Sequence, residues 1–228
     1  MAARLLVNAM PEFVVQWQQL LIIISILSMA VGNFTAIVQT NLKRMLAYSS
    51  IAHVGYMLLG LISGNALGYG ASTFYMVVYS VMSLGAFGMI TVLSRAGFEA
   101  ENIDDFKGLN SRNSWLAFLM LLIMFSMAGI PPLAGFIGKL YIFLAAIESS
   151  MYLLAIIGVM TSVIGAVYYI RLIKIMYFEK LRVFNFYQEV DREKSILIAL
   201  SVFFLVFFFL DPSSLLIFAH KHALNLCL

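Results

Sequence analysis

At 228 residues, 63% hydrophobic and only 11% charged, the chain lies far outside soluble proteins, in which about a quarter of residues are charged. That composition excludes a soluble enzyme and sets a polytopic membrane protein as the expected class, so the formal net charge of +3 informs through placement rather than sum. The basic residues form no extended patch among aromatics, so no nucleic-acid partner is expected. The single Cys227 leaves no intrachain disulfide and no cysteine metal motif.

The first ten residues do not read as a signal peptide, because Arg4 precedes only a brief apolar run before Asn8 and Pro11 and no A-x-A-like site follows. Apolar windows of about 20 residues then give six expected spans, 20–38, 45–62, 72–93, 115–147, 152–170 and 196–210. The second carries His53 among Tyr48, Ser49, Ser50 and Tyr56, a polar girdle that must face protein or water. In the third, Tyr75, Tyr79 and Ser83 recur every four residues and share one helical face, while Gly85, Ala86 and Gly88 offer a small-residue surface for close helix contact. The fourth is too long: 33 residues in one straight helix would run roughly 50 Å, against a hydrocarbon core of about 30 Å. Gly129-Ile130-Pro131-Pro132 marks where it breaks, since proline removes a helical donor and disfavours helix in the residue before it. The expected fold is therefore an all-α transmembrane bundle of about six spans with a broken fourth, organised as a single membrane domain over 1–228.

Basic residues alternate sharply between the connections. Lys43, Arg44, Arg95, Lys107, Arg112, Arg171, Lys174, Lys180, Arg182, Arg192 and Lys194 flank the loops after the first, third and fifth spans, whereas only Arg4 and Lys221 fall on the other side. The positive-inside rule places those three loops in the cytoplasm and the C-terminus outside. Glu99, Glu101, Asp104 and Asp105 make the loop between the third and fourth spans acidic, which fits a solvated loop better than a docking surface. His220 and His222 in the tail lack a third ligand, so no metal site is expected.

Lys139 is the only charged residue between 115 and 147. An ammonium at mid-bilayer costs about 2.5–3.5 kcal/mol on insertion scales, which makes it a candidate for ion or proton movement. The alternative is a snorkelling lysine, since it stands roughly 12 Å along the helix from the outer end of its span. Desolvation disfavours the charged form of a buried lysine, so such a residue can bind and release a proton as a nearby charge comes and goes. His53 suits a relay because imidazole titrates near neutral pH, and it suits equally a neutral hydrogen-bonded link between helices. Tyr75, Tyr79 and Ser83 fit either a hydrogen-bonded water chain or ordinary packing. No Ser-His-Asp grouping, phosphate-binding glycine loop or dinucleotide fingerprint is present, and no cysteine cluster or haem-ligand pair supports a redox cofactor.

Three blocks carry a resemblance. The first runs from Gly32-Asn33-Phe34-Thr35 through Gln39-Thr40-Asn41-Leu42-Lys43-Arg44-Met45-Leu46-Ala47-Tyr48-Ser49-Ser50-Ile51-Ala52-His53-Val54-Gly55-Tyr56. The others are Ser83-Leu84-Gly85-Ala86-Phe87-Gly88 and Ser126-Met127-Ala128-Gly129-Ile130-Pro131-Pro132-Leu133-Ala134-Gly135-Phe136-Ile137-Gly138-Lys139. Together they resemble subunit N of the proton-pumping NADH:quinone oxidoreductase, respiratory complex I. Asn41 favours that subunit, because its antiporter-like sisters typically carry aspartate after the Gln-Thr pair.

The resemblance implies a fourteen-helix fold of two inverted five-helix repeats, of which this chain matches the second repeat and the last helix; the first, with its glutamate and two lysines, has no counterpart here. It implies a membrane-arm subunit that couples quinone reduction to proton translocation, with Lys139, His53, Tyr75 and Tyr79 as relay groups. Redox chemistry would lie elsewhere: this chain itself would hold no cofactor, and NADH, FMN, iron–sulfur clusters and quinone would sit on other subunits. The implied partners are the other membrane-arm subunits, the lipid bilayer and protons; the implied location is the bacterial plasma (inner) membrane, with the C-terminus outside. Two other functions use the same scaffold: a monovalent cation/proton antiporter-type subunit and a non-conducting structural fragment.

Overall fold

The computed structural model describes residues 11–94, 101–179, 192–213 and 216. Arg4, Arg95, Glu99, Lys180, Arg182, His220, Lys221, His222 and Cys227, with the rest of the first ten residues, lie outside the described residues. Seven main helices follow in order: α1 Val14–Ile37, α2 Leu42–Ile62, α3 Ala66–Leu93, α4 Ser114–Ala128, α5 Ala134–Glu148, α6 Tyr152–Phe178 and α7 Arg192–Leu210. A short helix, Leu109–Arg112, and a 3-10 turn, Ile103–Phe106, fold the connection before α4. Among the described residues there is no strand, only an isolated bridge between Asn41 and Asn102.

Five of these helices are long and apolar enough to cross a bilayer, namely α1, α2, α3, α6 and most of α7. The expected fourth span is divided into α4 and α5, each of 15 residues and so about 22 Å long. Helices extend beyond the apolar windows because capping, not hydropathy, sets their ends. Asn41, Asn65 and Asn113 each accept a hydrogen bond from a backbone N–H of the first turn they precede, at Arg44 (3.0 Å), Gly68 (2.7 Å) and Leu116 (3.1 Å). At the other end, α6 runs past Arg171, whose guanidinium donates to the Ile37 carbonyl at the C-terminus of α1 (3.3 Å).

Apolar residues surround most helices, so each has an outward face for lipid and an inward face for packing. On α1, Leu20, Ile23, Leu27, Val31 and Phe34 are exposed, while Ser25, Met29, Asn33 and Ala36 are buried. The larger core cluster joins Phe74, Val78 and Met82 of α3 to Met120, Ile123 and Met124 of α4 and to Leu172 and Met176 of α6. A second gathers Met29, Tyr56, Leu59 and Ile142. The small-residue surface on α3 serves as expected: Gly85 faces Ile123 of α4 and Ser201 of α7, and Gly88 faces Ile198 of α7.

The acidic connection is laced to the bundle rather than merely solvated. Glu101 forms an ion pair with Lys43 and accepts from the Asn41 amide (3.0 Å), while Leu42 N–H donates to the Glu101 carbonyl and Ile103 N–H to the Thr40 carbonyl (2.9 Å). Lys107 bridges Asp104 (2.9 Å) and Glu179 (3.4 Å), and Asp104 holds its ammonium above the ordinary lysine range. Ile103 and Phe106 between these contacts are buried. The connection before α4 is therefore tied to the start of α2 and to the end of α6.

Candidate functional site

The break between α4 and α5 is built by two glycines. Gly129 ends α4 with φ +83°, a left-handed conformation that a side chain disfavours, and its N–H and that of Ile130 close on the Phe125 carbonyl (3.1 and 3.0 Å). After Pro131 and Pro132 the chain re-enters helix against the end it has just left. A Cβ on Gly135 would stand 1.9 Å from the Ser126 carbonyl oxygen, so only glycine permits this crossing. The Gly135 N–H donates to Ser126 Oγ at 3.2 Å.

Lys139 lies one helical turn further along α5 and is 6% exposed. Its Nζ donates to the carbonyls of Met127 and Ala128 (both 2.9 Å) and to Ser162 Oγ on α6 (3.0 Å), which uses all three of its N–H groups. Those carbonyls terminate α4, where the helix dipole presents its negative end. The cation also stands 5.3 Å from the ring centre of Tyr56 on α2, within range of the aromatic quadrupole. The ammonium is thus held without a carboxylate among the described residues, and its side chain turns into the bundle rather than toward the end of the span. Gly129 has a second use here, since a Cβ on it would meet Lys139 Cδ at 2.9 Å.

His53 occupies a separate nest. Its Nδ1 is 2.6 Å from the Tyr75 hydroxyl on α3 and its Nε2 is 3.0 Å from the Tyr169 hydroxyl on α6. Tyr79 stacks on the imidazole at 4.6 Å between ring centres. Tyr56 approaches edge-on at 6.0 Å. Both ring nitrogens are engaged by phenols, so a neutral imidazole must donate to one and accept from the other.

Of the residues singled out from sequence, the fold brings His53, Tyr75 and Tyr79 together and leaves Lys139 beside them, across the Tyr56 ring. Tyr75 touches both regions, because its ring lies against Gly138, the residue before Lys139. Sequence reading missed the contribution of α6 and α1. Ser162 and Tyr169 stand seven residues apart on α6, and Thr161, Gly165 and Tyr168 form a neighbouring polar-and-small stripe. Asn33 donates through Nδ2 to the Tyr56 hydroxyl (3.1 Å) and accepts through Oδ1 from the Tyr168 hydroxyl (3.1 Å). That stripe at helical spacing, and an asparagine inside an apolar span, were the available signals.

The arrangement is a titratable cation at a helix break, next to a chain of hydroxyls and one imidazole. Known proteins resemble the chain in sequence and in fold. The family described as NADH:quinone oxidoreductase/Mrp antiporter, TM, matches residues 1–165. The chain is 60% identical over 179 residues to NADH-quinone oxidoreductase subunit N of Coxiella burnetii and 55% identical over 185 residues to that of Herminiimonas arsenicoxydans. Each alignment covers 78% of this chain and 37% of the relative, so the chain spans little more than a third of these curated relatives. Among solved structures, a chain of respiratory complex I from Thermus thermophilus with bound aureothin superposes with a TM-score of 0.76 at 31% identity, over 87% of this chain and 44% of that one. A chain of the Mrp complex from Dietzia sp. superposes with a TM-score of 0.83 at 17% identity, over 92% of this chain and 47% of that one, a likeness of fold alone. The matched family covers both the broken helix with Lys139 and the signature helix with His53, and the chain belongs to it: the transmembrane family of NADH:quinone oxidoreductase and Mrp antiporter subunits.

Proposed function

We propose that this chain works as part of a membrane-arm subunit of a proton-translocating NADH:quinone oxidoreductase, contributing the second five-helix repeat and the final helix of that subunit. The observation that carries the proposal is Lys139: a buried cation bound by the carbonyl end of a broken helix and by one hydroxyl, with no carboxylate among the described residues to hold its charge. Such a site responds to charge nearby, because a positive charge arriving next to it favours release of its proton and a departing one favours uptake. The phenols and imidazole of Tyr75, His53 and Tyr79 lie on the far side of the Tyr56 ring from Lys139, and to them we assign the relay of released protons. Quinone reduction would take place on other subunits and reach this chain only as a change of charge or packing. In that reading NADH, FMN, iron–sulfur clusters and quinone are held by those partners.

The bacterial relatives and the distribution of basic residues support a bacterial plasma membrane, with the Lys43, Lys107 and Lys174 ends of the helices inside and the C-terminus outside. A cation/proton antiporter would use the same scaffold, but the sequence likeness lies with subunit N, while the Mrp likeness extends only to fold. The test is Lys139→Ala in the assembled complex, with proton translocation followed against NADH oxidation. The proposal expects assembly with translocation from this unit lost. Unchanged stoichiometry and turnover would remove the relay role, and sodium- or potassium-dependent proton flux without the redox subunits would favour exchange.

A further inference from the structure

Tyr56 stands between the two titratable groups, yet offers its hydroxyl to neither. It is buried, with the Lys139 ammonium 5.3 Å from its ring centre and the His53 imidazole at 6.0 Å, met edge-on. Tyr75 and Tyr169 point their hydroxyls at the two imidazole nitrogens. The Tyr56 hydroxyl instead lies between Asn33 Nδ2 (3.1 Å) and Thr161 Oγ1 (3.4 Å).

Those two partners leave the phenol proton nowhere to go. Asn33 Nδ2 also donates to the Met29 carbonyl (2.9 Å), which can only accept; this end of the amide is therefore nitrogen, and it can only donate to Tyr56. Thr161 sends its own proton to the carbonyls of Ile157 and Gly158 within α6 (2.8 and 3.0 Å), so it accepts from Tyr56. Neither a carboxamide nor a hydroxyl bound to helix carbonyls titrates in the working pH range. The ring is held as well as the hydroxyl. A Cβ on Gly165 would lie 2.7 Å from Asn33 Oδ1, and one on Gly158 would lie 2.8 Å from Phe143, whose ring meets Tyr56 edge-on at 6.4 Å.

We propose that Tyr56 is a positioning residue: its ring seats the Lys139 ammonium and bars it from the His53 nest, while its hydroxyl is an anchor outside the proton path. The inference rests on the relay reading above. Exchange between Lys139 and His53 then waits for the ring to shift, which ties proton passage to the working cycle of the complex. Removing the ring leaves Lys139 Nζ, Asn33 Nδ2 and Thr161 Oγ1 around one vacated space, polar enough to hold water. Water there takes the proton that Lys139 releases and passes it toward His53 whether or not the complex turns over.

The experiment uses the assembled complex in proteoliposomes and measures protons translocated per NADH oxidised, together with passive proton leak in the absence of NADH. Tyr56→Leu is expected to go on oxidising NADH, to lose the translocation that this unit contributes, and to raise the leak. Tyr56→Phe keeps the ring without the hydroxyl and is expected to restore the wild-type ratio and tightness, although Asn33 and Thr161 lose a partner and the melting temperature falls. Tyr56→Met, which fills the space without a ring, repeats the first test where Tyr56→Leu does not assemble. A merely structural role would lower assembly and melting and leave the ratio alone. Loss of translocation in Tyr56→Phe as complete as in Tyr56→Leu would put the hydroxyl in the proton path and overturn the proposal. Wild-type coupling and tightness without the ring would overturn it too. If Lys139→Ala loses translocation while Tyr56→Leu stays fully coupled, only this inference falls; unchanged translocation in Lys139→Ala removes the relay reading and this inference with it.

Discussion

Lys139 and His53 are both buried titratable side chains of one bundle, and they are held in opposite ways. Lys139 is bound by backbone: two carbonyls exposed by the end of α4, with Ser162 as the only side-chain hydrogen-bond partner among the described residues. His53 is bound entirely by side chains, from Tyr75 on α3 and Tyr169 on α6, under the stacked ring of Tyr79. A backbone cradle depends on the helix break and tolerates changes in neighbouring side chains. A side-chain nest depends on each phenol and on the packing of three helices.

Four changes sharpen that contrast, beginning with the largest. Gly135→Val would force a side chain into the Ser126 carbonyl and collapse the backbone cradle, at a cost of at least about 3 kcal/mol, read as loss of folded protein in thermal unfolding in nanodiscs. His53→Phe is next, since it leaves the Tyr75 and Tyr169 hydroxyls buried without their partner at about 1–3 kcal/mol each. It is expected to lower the melting temperature and slow translocation while leaving the α4–α5 break intact. Tyr79→Phe keeps the stack and removes only the hydroxyl, for about 1 kcal/mol or less, with translocation slowed less than in His53→Phe. The smallest effect is at Lys107, remote from both regions.

The Lys107 case has a definite pH sign. Asp104, and then Glu179, raise the pKa of the ammonium in the folded chain, so their support is full below the unfolded lysine value of about 10.4 and is lost as pH rises through the higher folded value. Lys107→Gln should therefore loosen the loop before α4 at neutral pH, seen as faster amide exchange at Ile103–Phe106. The difference from wild type should shrink only in strong alkali, and melting of the main helices should hardly change.

Legibility in the sequence follows the same division. A charge in an apolar span and a Gly-Pro break are expensive locally, so Lys139 and the division of the fourth span could be read from composition and spacing. The polar girdle of α2 and the tyrosine face of α3 were equally visible, and they do meet at His53. Which residues close the nest depends on how α6 and α1 rotate against them, and no local energy in the sequence fixes that rotation. Tyr168, Tyr169 and Asn33 were missed for this reason, and helix ends shifted because asparagine caps are invisible to hydropathy.

The central claim is that Lys139 changes its protonation state, and is more than a fixed cation bracing the break. Lys139→Arg tests this most directly, because arginine keeps the charge and its donors but does not release its proton under working conditions. Proton translocation per NADH oxidised would be measured in the assembled complex, beside Lys139→Ala. The account predicts that Lys139→Arg assembles and loses translocation from this unit as completely as Lys139→Ala does. Wild-type translocation in Lys139→Arg would contradict it.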